Sequence, residues 1–233
     1  MTSSTPALGT LTAEGPSLQA VLLDMDGTLV DTEGFWWDAE SEAFAELGHV
    51  LRDEWREVVV GGPMTRSAGF LIEATRADIT MDELTVLLNS KFVERLSRGV
   101  PLMPGARRLL TELSLHRVPT ALVSASHRSV VDVMLDSLGR EHFDLTLAGD
   151  DLTRTKPHPD PYLTAAARLG AEPARCAVLE DTVTGVASAE AAGCQVVAVP
   201  SVAPIESVAG RTVVSSLEGV NVAFLRSLFM VAR

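Results

Sequence analysis

Residues 21–33 read "VLLDMDGTLVDTE": a run of apolar side chains leads into two carboxylates one residue apart, Asp24 and Asp26, then into Gly27 and Thr28. A short apolar run closed by a turn signal is the pattern of a strand covered on both faces, as in a parallel sheet. Five more runs share that character: "PTALVSAS", "FDLTLAG", "CAVLED", "QVVAVP" and "RTVVSS". Helical periodicity fills intervals at residues 105–116, 128–138, 161–169 and 183–192, and Gly139, Gly170 and Gly193 follow three of these at helix-ending positions. Strand and helix in alternation predict an α/β protein with a doubly wound parallel sheet.

One section breaks the alternation. Between the first two strands, "EGFWWDAESEAFAELG", "TRSAGFLIEATR" and "TMDELTVLLNSKFVERLSRG" are helical throughout, the last opening with a Thr80-to-Glu83 capping box. The expected organisation is a Ser/Thr/Gly/Pro-rich leader over residues 1–17, a core formed by residues 18–32 and 101–233, and a helical insertion over residues 33–100.

Composition narrows the function classes. In a chain of 233 residues an apolar fraction of 46% supports a sizeable core, and the net charge of −12 disfavours nucleic acid, whose binding relies on clustered Lys and Arg. The leader has neither a basic start nor a continuous apolar stretch, and no apolar run reaches spanning length, so no membrane partner is expected. Cys176 and Cys194 both lie in apolar strand-like contexts, which fits a reduced, cytoplasmic protein. Nothing in the pattern demands an obligate dimer, and a monomer is expected.

Ligands of open parallel sheets collect beyond the carboxyl ends of the strands. The first strand exits at Asp24, Met25 and Asp26, the second at Ser124, Ala125 and Ser126, and the fourth at Glu180 and Asp181; a loop after the third carries Lys156. Mg2+ takes oxygen ligands, commonly one or two carboxylates with substrate phosphate and water, and removes the repulsion between the acids. Asp24 and Asp181 are the natural ligands, with Glu180 beside them. Ser124, Lys156 and backbone N–H groups of the "DMDG" and "SAS" turns, Ala125 included, supply donors for phosphoryl oxygens. One carboxylate, Asp24, can attack phosphorus while the second, Asp26, shuttles the proton of the leaving oxygen.

The motifs "DMDGTLVDTE", "SAS", "KPHPDPY" and "EDTVTGVASAEAAG", in this order and with a helical insertion after the first, resemble the haloacid dehalogenase-like hydrolase superfamily. The nearer likeness is to its sugar-phosphate phosphatases and beta-phosphoglucomutase, and it covers residues 19–214. The resemblance implies a Rossmann-like core with a helical cap domain, and Mg2+ held by the Asp24 side chain, the Asp26 backbone carbonyl and Asp181. It also implies that Asp24 becomes phosphorylated, that Asp26 protonates the leaving group and then activates water, and that Ser124 and Lys156 hold the phosphoryl group.

Plainer readings stand beside these. Asp24 and Asp26 could shape an Asx turn, Glu180 and Asp181 could cap the next helix, and Ser126 stays open as a loop hydroxyl. His158 reads as a loop histidine without a catalytic part, Gly185 as a helix-packing residue, and Phe35, Trp36 and Trp37 as packing rather than pocket lining. Arg66 and Arg76 read as surface arginines. Three functions follow in order of preference: a phosphatase of a small phosphorylated metabolite such as a sugar or polyol phosphate, a sugar-phosphate mutase, and a non-catalytic phosphate-binding module. Against the mutase, Met64 stands three residues after Gly61, where a cation for a distal phosphate is expected.

Overall fold

The computed structural model describes residues 17–59, 64–96, 99–201 and 203–230. Six strands form one parallel sheet: β1 (Ala20–Leu23), β2 (Thr120–Val123), β3 (Leu145–Leu147), β4 (Cys176–Glu180), β5 (Gln195–Ala198) and β6 (Arg211–Val213). Their order is β3-β2-β1-β4-β5-β6. The chain therefore winds outward from β1 to β3, crosses back, and continues outward on the other side. All six expected strands are present, and the doubly wound reading holds.

Helices α1 (Glu33–Glu46), α2 (Arg56–Val59), α3 (Met64–Thr75), α4 (Met81–Leu96) and α5 (Ala106–Leu115) lie between β1 and β2 in the chain. Further along come α6 (Arg128–Leu138), α7 (Asp160–Arg168), α8 (Val183–Ala191) and α9 (Val222–Ser227). Side chains alternate across the pleat. Val21, Leu23 and Leu122 face one core shared with α5, α6 and α9, whereas Ala20, Leu22, Ala121 and Val123 face a second core shared with α7 and α8. Covering both faces explains why the strands read as unbroken apolar runs rather than alternating ones. Gly139, Gly170 and Gly193 take positive φ at the ends of α6, α7 and α8, as their positions suggest.

The helical segment between β1 and α5 has an apolar cluster of its own, with Trp37 and Phe44 from α1, Ala68 and Leu71 from α3, and Leu84 and Leu88 from α4. It is also joined to the sheet's first core through Ala39, Phe92 and Leu96. Trp36 stacks on Phe92 with ring centroids 3.8 Å apart, and the Arg95 guanidinium lies 5.8 Å from the Phe35 ring centre. These aromatic residues pack the segment, which is the plainer of their two readings. The expected box opens α4: Glu83 N–H donates to Thr80 Oγ1 (3.3 Å), and Thr80 N–H donates to Glu83 Oε2 (3.0 Å). Arg76 is exposed. The leader, apart from Ser17, and residues 61–63 of the mutase comparison lie outside the described residues, as do the side chains of Met64 and Arg66.

Leu122 is fully buried in a central strand with helices against it. Leu122→Ala is expected to lower the unfolding free energy by about 2–5 kcal/mol, the usual range for a buried leucine truncated to alanine. Urea unfolding followed by circular dichroism checks it; a loss well below 1 kcal/mol would contradict this packing.

Candidate active site

Backbone pairing brings the strand ends into register before any side chain acts. Leu23 lies beside Leu122 on β2 and Leu179 on β4, and Asp24 N–H donates to Leu179 O (3.0 Å). Asp24, Ser124 and Glu180 consequently leave the sheet at one edge, at the place where strand order reverses and open α/β sheets form crevices. Beyond Asp24 the chain doubles back, with Gly27 N–H donating to Val30 O (2.9 Å) and Val30 N–H to Met25 O (3.1 Å). Gly27 has φ +79°, and a Cβ there would stand 2.1 Å from Asp181 Oδ2. Only glycine lets this turn press against Asp181. Its neighbour Thr28 donates Oγ1–H to Asp181 Oδ1 (3.3 Å).

Lys156 reaches into the same crevice with its side chain almost completely buried. Its Nζ donates to Asp24 Oδ1 (2.6 Å), Glu180 Oε1 (2.7 Å) and Val123 O (2.8 Å), which uses all three ammonium donors. The Tyr162 ring centre lies 5.1 Å from Nζ, and its hydroxyl donates to Glu180 Oε1 (2.7 Å). Glu180 Oε2 meanwhile accepts from Asp181 N–H (3.1 Å), Thr182 N–H (3.3 Å) and Thr182 Oγ1–H (3.1 Å). This folded-back carboxylate leaves no room at Gly185, where a Cβ would fall 1.8 Å from Glu180 Oε1. Gly185 thus serves the site as well as helix packing.

Asp26 has a different environment. Its Oδ2 accepts from Ser124 Oγ–H (3.1 Å) and Ser126 Oγ–H (2.8 Å), and Ser126 N–H donates to Ser124 Oγ (3.0 Å). Asp181 Oδ2 accepts from Ser201 Oγ–H. Ala125 sits against Gly149, where a Cβ would be 2.2 Å from Ala125 O. Among the described residues, the N–H groups of Met25, Asp26 and Ala125 donate to no protein acceptor.

A protein-family model for haloacid dehalogenase-like hydrolases matches residues 18–193. The chain belongs to this family. The fructose-1-phosphate phosphatase YqaB of Escherichia coli is 31% identical over 183 residues, covering 76% of this chain and 94% of its own length. The bifunctional riboflavin kinase/FMN phosphatase of Arabidopsis thaliana is 33% identical over 183 residues; that match takes in 78% of this chain but spans about half, 48%, of the plant protein. A crystal structure of a haloacid dehalogenase family hydrolase from Deinococcus radiodurans, with bound phosphate and sodium, has a TM-score of 0.72 and 29% identity, covering 93% of this chain and 100% of that one. With phosphatases as its relatives, this member of the haloacid dehalogenase-like family is a phosphoric monoester hydrolase.

Four carboxyl groups at this sheet edge share one ammonium, and burial dominates the protonation of Asp24, Asp26 and Asp181. Burial raises the pKa of Asp24 well above the ordinary carboxylate range; Lys156 pulls it back, while Glu180, Asp181 and Asp26 push it further up. Asp26 is raised by burial, with the hydroxyls of Ser126, Ser124 and Thr32 counteracting part of the effect. Asp181 is raised to about 6, again by burial first, with the Ser201 hydrogen bond opposing and Glu180 reinforcing. Burial works against the Lys156 ammonium, yet Asp24 and Glu180 outweigh it and raise its pKa. Oxygens of Asp24, Glu180 and Asp181 lie within 4.8 Å of one another, a hard donor set suited to a divalent cation and otherwise short of positive charge.

Each residue singled out in the sequence, Asp24, Asp26, Ser124, Ala125, Lys156, Glu180 and Asp181, stands at this edge. His158 does not join them: its carbonyl accepts from Ser188 Oγ–H (2.6 Å) and its ring Nδ1 accepts from Asp160 N–H (3.3 Å), so it anchors the start of α7. Thr28, Tyr162 and Ser201, to which the sequence motifs do not point, also bond carboxylates at this edge, as does Ser126. Ser201 follows β5 and was legible by the same strand-exit logic, whereas Tyr162 reads as an ordinary helix residue until α7 is laid under Lys156.

Burial raises the folded-state pKa of Asp181 from 3.8 to about 6, so the fold keeps a proton that the unfolded chain has released. On this group's account the metal-free protein loses stability as pH rises from about 4 to about 6, by up to ~3 kcal/mol. Urea unfolding in chelator is therefore expected to shift in favour of Asp181→Asn, relative to the unaltered chain, by ~2–3 kcal/mol between pH 4 and pH 6.5. A difference that does not vary with pH would contradict the assigned environment.

Proposed function

We propose that this enzyme is a Mg2+-dependent phosphatase of a small phosphorylated metabolite, a sugar or polyol phosphate, working through a phosphoryl-aspartate at Asp24. The observation that carries the reading is the contrast between the two acids of the first motif. Asp24 has one oxygen fixed by Lys156, and its Oδ2 accepts no hydrogen bond from a described residue. Asp26 is held instead by two serine hydroxyls and has no hydrogen bond to Lys156, whose ammonium favours the ionised form of Asp24. Paired carboxylates with environments this different divide nucleophilic and acid–base work between them.

Asp24 Oδ2 attacks phosphorus, and the bond from phosphorus to the ester oxygen breaks as the Asp26 carboxylic acid passes its proton to that oxygen. The Asp26 carboxylate then takes a proton from a water whose oxygen attacks the phosphoryl group, which frees phosphate and restores Asp24. N–H groups of Met25, Asp26 and Ala125 suit the phosphoryl oxygens, and Ser124 adds a donor when it turns from Asp26. Lys156, with every donor engaged, acts mainly by holding Asp24 in place and by its charge. Asp24, Asp181 and the Asp26 carbonyl would hold Mg2+, with Glu180 at the edge of the set; the ion would offset charge on the transferring group. Residues 33–100 would form a cap over a core built from residues 18–32 and 101–233, excluding water and selecting the organic part of the substrate. The YqaB likeness supports a sugar phosphate as substrate. Free buried Cys176 and Cys194 accord with a reducing compartment, and among the described residues no helix is long and apolar enough to cross a membrane.

Phosphate release from a panel of sugar and polyol phosphates with Mg2+ tests the reading. Release is expected to fall to background with chelator and in Asp24→Asn; activity surviving Asp24→Asn would remove the nucleophile. Conversion of a sugar 1-phosphate to a 6-phosphate without free phosphate would replace hydrolysis by mutase chemistry. Asp26→Ala should lower kcat by roughly 10²–10⁴ with Mg2+ affinity, by calorimetry, within a few-fold. A loss of Mg2+ affinity matching that of Asp181→Ala would count against the acid–base role.

A further inference from the structure

Glu40 is a carboxyl group in the middle of an apolar helix face. Its neighbours one turn away along α1 are Trp36, Trp37, Ala43 and Phe44, which belong to or pack against the two apolar clusters that meet at this helix. Glu40 is 3% exposed, and its Oε2 is buried without a hydrogen-bond partner. The segment has cations, yet they turn elsewhere. Arg95 pairs with Asp38 and Glu42, and Lys91 with Glu46, all on the outer edge of α1. Burial alone pushes the Glu40 pKa up to about 8, and no neighbouring charge moderates it. At neutral pH the group is thus a neutral acid, able to donate as well as accept.

A carboxyl buried without a partner costs stability that an apolar side chain of similar size would not. Its position along α1 gives that cost a use. Thr32, Trp36 and Glu40 recur every four residues and share one side of the helix. Thr32 immediately precedes the helix and makes no capping hydrogen bond; its hydroxyl acts instead on Asp26. Eight residues of helix rise about 12 Å, and side chains lean back toward the helix start, so the Glu40 carboxyl stands roughly 10 Å along from Thr32. That separation is about the reach of a phosphorylated open-chain sugar. We infer that Glu40 is a specificity-determining residue whose unpartnered carboxyl takes a hydrogen bond with a hydroxyl of the substrate, far from the phosphate, when the helical segment shifts to admit it. The inference rests on the phosphatase reading and narrows its substrate to polyhydroxylated phosphate esters.

The test compares kcat/KM for sorbitol 6-phosphate and ribose 5-phosphate with that for 4-nitrophenyl phosphate, which has no hydroxyl to offer. The ratio of the better sugar ester to the aryl ester is expected to fall tenfold or more in Glu40→Leu and to stay within about threefold in Glu40→Gln, which keeps a donor and an acceptor. Glu40→Leu is also expected to melt at the same temperature or higher, which separates lost recognition from lost folding. A ratio unmoved in both variants, or equal losses on both kinds of ester, would overturn the inference. So would a native enzyme that hydrolyses the aryl ester and neither sugar ester, although the phosphatase reading would then stand. Release from no ester at all would bring down the phosphatase reading itself, and this inference with it.

Discussion

Everything at the carboxyl edge of the sheet depends on one buried ammonium. Lys156 sits between Asp24 and Glu180 at hydrogen-bond distance from both, with the Val123 carbonyl taking its third donor. Removing a charge from water costs several kcal/mol unless partners replace the lost hydration. Here they do so for the lysine completely and for the acids only in part, since Asp24, Asp26 and Asp181 all retain raised pKa values. The imbalance gives the crevice an appetite for a further cation. It also makes each carboxyl sensitive to whatever enters.

Holding so many acids together requires backbone to come unusually close, and the sequence yields at those points. At Gly27 and Gly185 any side chain would strike a carboxylate of this cluster, of Asp181 and Glu180 respectively. The "DGT" of the first motif and the "TG" of the last are therefore steric statements about the same cluster, made from opposite sides. Glu180 illustrates the result. Lys156, Tyr162 and Thr182 occupy both of its oxygens, so it orders the lysine and the start of α8 while lying within reach of a cation.

The fold and most of the site were legible in the sequence because two strong regularities coincide. Strands buried on both faces produce unbroken apolar runs, and in a parallel sheet every such run ends at the same edge, so Asp24, Ser124 and Glu180 could be assembled without knowing any distance. Other features were not legible because they depend on loop path rather than on pattern. Tyr162 meets Glu180 only because the chain between β3 and β4 lays α7 beneath Lys156, and Ser126 joins Asp26 only because its own N–H folds onto Ser124. Glu40 escaped for the opposite reason. A lone acid on a helix reads as solvent-facing, and only the packing of α1 between two apolar clusters shows that it points inward.

The chain carries a net charge of −12, yet the reading asks it to bind an anion. Long-range attraction cannot drive that encounter, since the net field repels a phosphate ester within the Debye length and is screened beyond it. Affinity must then come from contacts made after entry: unbonded N–H groups of the two strand-exit turns, a bound cation, and whatever the helical segment offers the organic part of the ligand. Such short-range contacts are strongest where water is excluded. A helical segment with its own apolar cluster, joined to the sheet's first core through Ala39, Phe92 and Leu96, would supply that exclusion if it acts as the proposed cap. Selectivity would then fall to the side chains the segment turns inward, where an acid without a partner discriminates more sharply than an apolar wall, because a ligand lacking the matching hydroxyl leaves it unsatisfied.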